Sequence, residues 1–294
     1  MYFVRSKDSP TTIFVAYTTF SILTTAPSSS PRATGLRNAR ERARRLVEDL
    51  GITRPDDIDI YRFLARYRSD VCEGTLDGAD AQLVSFDETI LIRVSQAVVD
   101  PRQRAFDLAH ELGHLLLEHP SSAAHERGVS DLPVSLGDGV RDFEAEASAF
   151  AEELLMPYDL MLTFFEDAVV SADLVQRVAT TFSVSALTAS TRLIEITDAP
   201  CMVVLSEAGH VKWSKKTVTF PYDCGDGSKL GAGTLASEYF ARGVLETSEL
   251  AVEPSSWFQD ANDIVLTEHA IVAEDGQSVL SLLRLPVWWW IYAG

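Results

Sequence analysis

Cysteine is scarce in this 294-residue chain: Cys72, Cys201 and Cys224 are all there is, and none stands in C-x-x-C spacing. An odd, scattered set excludes a disulfide framework and a structural zinc knuckle, and makes a reducing cytoplasm the simplest expected compartment. Basic residues are also few, 25 Lys and Arg against 43 Asp and Glu, for a formal net charge of −18 and a pI near 4.7. Affinity for nucleic acid comes largely from neutralising phosphates, so direct nucleic-acid binding is not expected, whereas a basic protein partner is compatible with the charge. Long apolar runs are missing as well. The stretch at 13–23 is interrupted by Tyr17, Thr18, Thr19 and Ser21 and falls short of the ~20 apolar residues that a membrane span needs. With Arg5 and Lys7 before it and TTAPSSSPRATG after it, residues 1–35 have the outline of a signal-like segment, but the unpaired cysteines favour a poorly ordered tail. The Gly-rich stretch CGDGSKLGAG at 224–233 lacks the G-x-x-x-x-G-K-[ST] order of a phosphate cradle, so no nucleotide site is expected.

What the chain does contain is AHELGHLLLEH at 109–119, with His110, Glu111 and His114 in the order His-Glu-x-x-His. On a helix the two imidazoles, four residues apart, converge on one face and can share a metal ion, with Glu111 pointing at its open position. The setting is right for a helix. ETILIRV at 88–94 reads as a strand, Asp100 and Pro101 as an N-cap and first helical residue, and Phe106, Leu108, Ala109, Leu112, Leu115 and Leu116 as a buried stripe. Burying two histidines and a glutamate together with no metal would carry a desolvation cost that nothing offsets.

A third protein ligand is then required, and histidine offers few candidates: only 110, 114, 119, 125, 210 and 269. Leu117 and Pro120 stand where a metzincin needs Gly and His. His119, five residues after His114, is rotated off the ligand face of a continuing helix. A carboxylate from a second helix remains, and DFEAEASAFAEELLMP at 142–157 reads as that helix. Glu144 shares a small, apolar face with Ala147, Ser148, Ala151 and Leu155, which makes it the expected ligand. Glu146, on a face with Glu153 that reads as more exposed, is the reserve.

The segments ILIRV, RQRAFDLAHELGHLLLEH, EAEASAFAEELLMP and ATTFSVSALTASTRL, in that order and spacing, resemble the ImmA/IrrE family of metallopeptidases over about residues 36–196. The resemblance implies an α+β, zincin-like metallopeptidase domain, with a small sheet packed on the active-site helices. It assigns His110 and His114 as metal ligands, Glu111 as general base and Glu144 as third ligand of one catalytic Zn²⁺, with Ser148 where many members have Asn. The implied activity is zinc-dependent endopeptidase cleavage of a helix-turn-helix transcriptional repressor, switching on stress or mobile-element genes. The alternative is a non-catalytic regulatory or ligand-sensing protein that keeps the fold. In such a site the metal draws the pKa of a bound water towards ~7 and Glu111 takes its proton. Tyr158 and His119 both stand open as oxyanion donors, and an extended substrate is expected to add to the edge of the strand at 88–94.

The rest of the chain divides at Ala199-Pro200 into a metallopeptidase domain over 36–198 and a β-rich C-terminal domain or extension over 199–294. In the first, helices are expected at 38–51, stopped by Gly51, and at 57–67, then two or three strands over 70–94 and a long loop at 119–140 that suits a substrate lid. DLVQRVATTFSVSALTASTRLIEI has a helix-turn-helix cadence, but Arg192 is the one basic residue of its second helix and Glu195 opposes it, so a structural helix pair is the better reading. In the second, hairpins are expected to turn at Ala208-Gly209 and Asp275-Gly276, with a short helix near 234–243 and VWWWIY at 287–292 as strand core.

Overall fold

A computed structural model of the chain describes residues 30–76, 80–86, 89–120, 142–164, 169–259, 261, 264–273 and 276–286. The expected tail up to residue 29, the lid beyond Pro120 and the closing aromatic run lie outside the described residues. The fold is α+β, a small sheet with helices followed by a β-rich C-terminal region.

Helix α1 (Pro31–Asp49) begins earlier than position 38, because Ser30 accepts a hydrogen bond from the Ala33 N–H and Pro31 fits the first turn. Residues 31–35 therefore belong to this helix and not to the tail. Ala39, Ala43, Leu46 and Val47 repeat at helical spacing on its buried face. Gly51, at φ +64°, ends it in a left-handed turn, with the Ile52 N–H reaching back to the Val47 carbonyl at 3.1 Å. Helix α2 (Ile60–Arg66) is shorter than the sequence suggests, since a 3₁₀ turn at Pro55–Asp57 and the Asp59 cap delay its start.

Strands β1 (Ser69–Gly74), β2 (Ala81–Phe86) and β3 (Thr89–Ser95) form a sheet in the order β1-β3-β2. β3 pairs with β1 in parallel and with β2 antiparallel. This corrects the expectation that a substrate could add to β3: both its edges are taken, and β2 is the outer strand. Helix α3 (Pro101–Leu116) packs against β2, β3 and α4 (Phe143–Leu155), which also lies along α1. Phe63, Ile92, Leu108, Leu112, Phe150 and Leu154 fill the space between them. The segments α5 (Tyr158–Leu162), α6 (Ala172–Thr181) and α7 (Ala186–Ile196) complete the helical part. The positive residue on α7 is inaccessible to any duplex, because Arg192 is 1% exposed.

That arginine ties three helices together. It reaches Glu153 on α4, Glu195 on its own helix and the Met156 carbonyl, while Arg44 of α1 donates to Glu153 at 2.9 Å. Arg40 and Lys215 close on Glu195 at 2.6 and 2.9 Å. Burial would raise the Glu195 carboxyl, but the cations of Lys215, Arg40 and Arg192 hold it down at about 2.

The C-terminal sheet is antiparallel, in the order β5-β4-β8-β7-β6, from β4 (Cys201–Glu207), β5 (His210–Lys216), β6 (Glu249–Val252), β7 (Leu266–Val272) and β8 (Ser278–Arg284). The first hairpin turns at Ala208 and Gly209, both at positive φ, and in the second Gly276 takes φ +64°. Alternation along β4 sends Met202 and Val204 to a core with α8 (Leu235–Arg242), Phe220 and Phe258. It sends Cys201 and Val203 to the other face, against Ile194 of α7. The three thiols are unpaired, and burial pushes those of Cys201 and Cys224 up to about 12.

Removing the Arg192 guanidinium leaves Glu153 buried with Arg44 as its remaining cation. Arg192→Ala is expected to lower unfolding free energy by about 3 kcal/mol or more, measured by denaturant unfolding; a loss under about 1 kcal/mol would mean the network is replaceable by packing alone.

Candidate metal centre

Two helix ends build this site. Asp100 caps α3 by accepting from the Arg102 N–H, which sets the helical phase that puts His110 and His114 on one face. Asp142 caps α4 by accepting from the Ala145 N–H, which places Glu144 in the first turn of that helix. At the crossing, Gly113 lets the helices meet: a Cβ there would stand 3.1 Å from the Ala147 carbonyl oxygen and 3.2 Å from the Phe150 ring. The Gly of the motif therefore brings α4 close enough for its carboxylate to reach the histidines.

The three donor groups converge. His110 Nε2 and His114 Nε2 are 2.9 Å apart, and the Glu144 oxygens lie 3.2 Å from the first and 3.5 Å from the second. Two ligands held at about 2.1 Å from a tetrahedral divalent ion are separated by roughly 3.4 Å, so the observed spacings bracket what such an ion requires. The two imidazoles that face it hold the Glu144 carboxyl well below the usual carboxylate range.

The outer nitrogens of the histidines are also engaged. Ser148 Oγ stands 3.3 Å from His110 Nδ1. His119 Nδ1 lies 3.0 Å from His114 Nδ1, and its Nε2 lies 3.2 Å from Glu146 Oε2. If His119 donates from Nε2 to the carboxylate, its Nδ1 accepts from His114, and the inner Nε2 of His114 keeps a free lone pair for a metal. His119 reaches this place because α3 does not continue. Glu118 turns left-handed at φ +55°, the His119 N–H bonds back to the His114 carbonyl at 3.0 Å, and the ring folds over its neighbour.

One sequence expectation is corrected here, and one open question is narrowed. Glu146 is not the exposed member of its pair: its side chain is 1% accessible, against 78% for Glu144. Helix α4 is covered on both flanks, so its buried arc is wider than a one-sided pattern implies, and Glu146 and Glu153 lie within it. Neither open candidate for oxyanion donor faces the site. His119 has both ring nitrogens engaged, and Tyr158 lies under the Arg44 guanidinium, 5.4 Å from its ring centroid, outside the cavity beside Glu111.

That cavity, about 280 Å³, is lined by Glu111, His110, Glu144 and Ser148 together with Asp80 and Asp107. Burial pushes the Glu111 carboxyl up from its ordinary value, while the neighbouring histidines and the Leu83 N–H of β2 pull the other way. Burial also raises Asp107, to about 6. The sequence reading missed Asp107, although its position one turn before Glu111 on the same face was the available signal.

A two-histidine, one-carboxylate centre on packed helices beside a small sheet defines a zincin-like domain. Residues 68–193 match the family model described as the IrrE N-terminal-like domain, peptidase family M78, and this stretch of the chain is similar to that domain. Among solved structures, a Mycobacterium tuberculosis transcriptional regulator is similar at 16% identity, over 87% of this chain and 92% of that one, with a TM-score of 0.54. At that identity the likeness concerns the fold alone. No curated protein matches the chain.

His119→Ala is expected to weaken binding of a divalent ion about ten- to hundredfold, read by competition with a chromogenic chelator. Glu146→Gln should weaken it in the same direction. An unchanged affinity in both would show that His114 is oriented without them.

Proposed function

We propose that the protein is a zinc metalloendopeptidase, with His110, His114 and Glu144 holding one catalytic Zn²⁺ and Glu111 acting as general base. The observation that carries this reading is the convergence of three donor atoms within 4.8 Å of one another, beside a cavity that Glu111 lines. When bound, the ion supplies Lewis-acid polarisation of a peptide carbonyl and acidifies the attacking water. Everything else falls to the chain. Ser148 and His119 orient the imidazoles. Glu111 takes the proton of the water and delivers it to the departing amine nitrogen, a task that suits a carboxyl raised by burial towards working pH. An extended substrate segment would lie along β2, whose Leu83 N–H reaches Glu111, and not along β3.

The substrate proposed is a helix-turn-helix transcriptional repressor, so that cleavage releases the genes it controls. The family resemblance supports this, and the regulator among the fold neighbours agrees with a place in gene control. Among the described residues no helix is long and apolar enough to cross a membrane, and a cytoplasmic location is proposed with the cysteine pattern in view. A division near Pro200 into the metallopeptidase domain, 36–198, and a C-terminal β domain, 199–294, fits the separate core around α8. The second reading, a non-catalytic regulator, draws on that same neighbour, whose likeness covers 87% of this chain.

Glu111→Gln separates the two. It is expected to retain zinc at wild-type stoichiometry while peptide cleavage falls by at least about a thousandfold; regulatory activity that survives in this variant would favour the regulator. Glu144→Ala should lose the metal, measured by elemental analysis after dialysis, and full occupancy in that variant would reassign the third ligand.

A further inference from the structure

The cavity wall beside Glu111 carries more negative charge than peptide hydrolysis uses. Asp107 is nine-tenths buried on α3. Its Oδ1 accepts from Gln103 Nε2 at 2.7 Å, and its Oδ2 has no hydrogen-bond partner among the described residues. A buried carboxylate with half its acceptor capacity unmet is costly, and a site that keeps one calls for a donor from outside. Asp80, which is exposed, lines the same cavity, and its charge acts on Asp107. Phe106 and Ala81 give the cavity an apolar side, and among the described residues no Lys or Arg lines it. The space, about 280 Å³ and shared with the faces of His110, Glu111 and Glu144, is under the roughly 300 Å³ where pockets for whole small ligands begin, and leaves room beside the metal centre for no more than a single side chain.

We propose that this cavity is a specificity subsite for a cationic side chain of the substrate, lysine or arginine, with its alkyl stem against Phe106 and Ala81 and its charge between Asp107 and Asp80. The proposal rests on the reading that a peptide is cleaved at the adjoining metal centre, and deepens it by giving the substrate a chemistry. Lysine and arginine combine an apolar stem with a charged head that carries only donors, which is the complement of this wall. Glu111 and Glu144 do not satisfy the same need, since in the proposed reaction one exchanges a proton and the other faces the ion. A chain of net charge −18 also attracts basic segments at long range, which raises the encounter rate with such a substrate.

The experiment has two arms, both on the full chain loaded with zinc. In the first, a peptide library of mixed sequence is digested and the cut sites are read by mass spectrometry. Lys or Arg is expected at one fixed position from the cut, enriched about tenfold or more. Asp107→Asn and Asp80→Asn should each erode that enrichment and raise KM for a lysine-containing peptide, with kcat little changed. In the second, Glu111→Gln protein is titrated with N-acetyl-lysine methylamide and with its norleucine counterpart, followed by NMR. The lysine compound should bind about tenfold more tightly, and Asp107→Asn should abolish the difference. Asp80→Lys, at an exposed position, keeps the test open should Asp107→Asn fail to fold, because its own cation should block the subsite. Cleavage without a cationic preference overturns the subsite and leaves the peptidase reading intact. Absent cleavage with lysine discrimination retained overturns the peptidase reading and leaves the subsite. Loss of both overturns both.

Discussion

The close crossing of α3 and α4 is the constraint on which the rest of the molecule depends. Glu144 is exposed and sits at the start of a helix that follows a long connection, so nothing local holds it near the histidines. Its position comes from the contact at Gly113 and Ala147 and from the packing of α4 between α3 and α1. That packing is in turn fastened by Glu153 and Arg192, which join α4 to α1 and α7. A group of converging metal donors has to be held to within fractions of an ångström, and here the holding is done by a helical core far larger than the site itself.

The site has a graded structure. Three donors face one another, and behind them Ser148, His119 and Glu146 engage the outer ring nitrogens. Such outer contacts select the tautomer that leaves the inner nitrogen free, and they restrict rotation of the rings. The buried position of His119 and Glu146 keeps water from competing for those bonds. Charge on the other side of Glu111, from Asp107 and Asp80, belongs to a different task, since neither residue contributes to the converging donor group. One small region thus sets geometry on its α4 side and charge on its Asp107 side.

Among the described residues, the C-terminal sheet is linked to this frame from one face. Cys201, Val203, Leu280 and Leu282 pack on Ile194, while the opposite face builds its own core with α8, and Lys215 of β5 reaches Glu195 on α7. Inside that second core, Glu268 accepts hydrogen bonds from the Leu235 and Ala236 N–H groups at the start of α8, from Trp257 and from Ser281. Four donors meet a fully buried carboxylate, so its burial is compensated locally.

Much was legible before any fold was known. The four-residue spacing of His110 and His114, the cap at Asp100, the two hairpin turns and the α+β order all rest on local rules, in which a side chain's role depends on neighbours a few positions away. What local rules could not supply was the partner of each surface. A helix covered on two flanks buries a wider arc than its pattern reveals, which is why Glu146 and Glu144 exchanged places in exposure. A helix that stops at a left-handed glutamate returns His119 to its neighbour, although continued helical geometry would have swung it away. Strand order is likewise non-local: three strands in sequence can be arranged several ways, and only packing put β3 in the middle and left β2 at the edge. The chemistry of the donors was therefore written in the chain, whereas their enclosure, their supporting contacts and the acidic wall at Asp107 were decided by long-range packing, because burial belongs to surfaces that meet and not to residues taken in order.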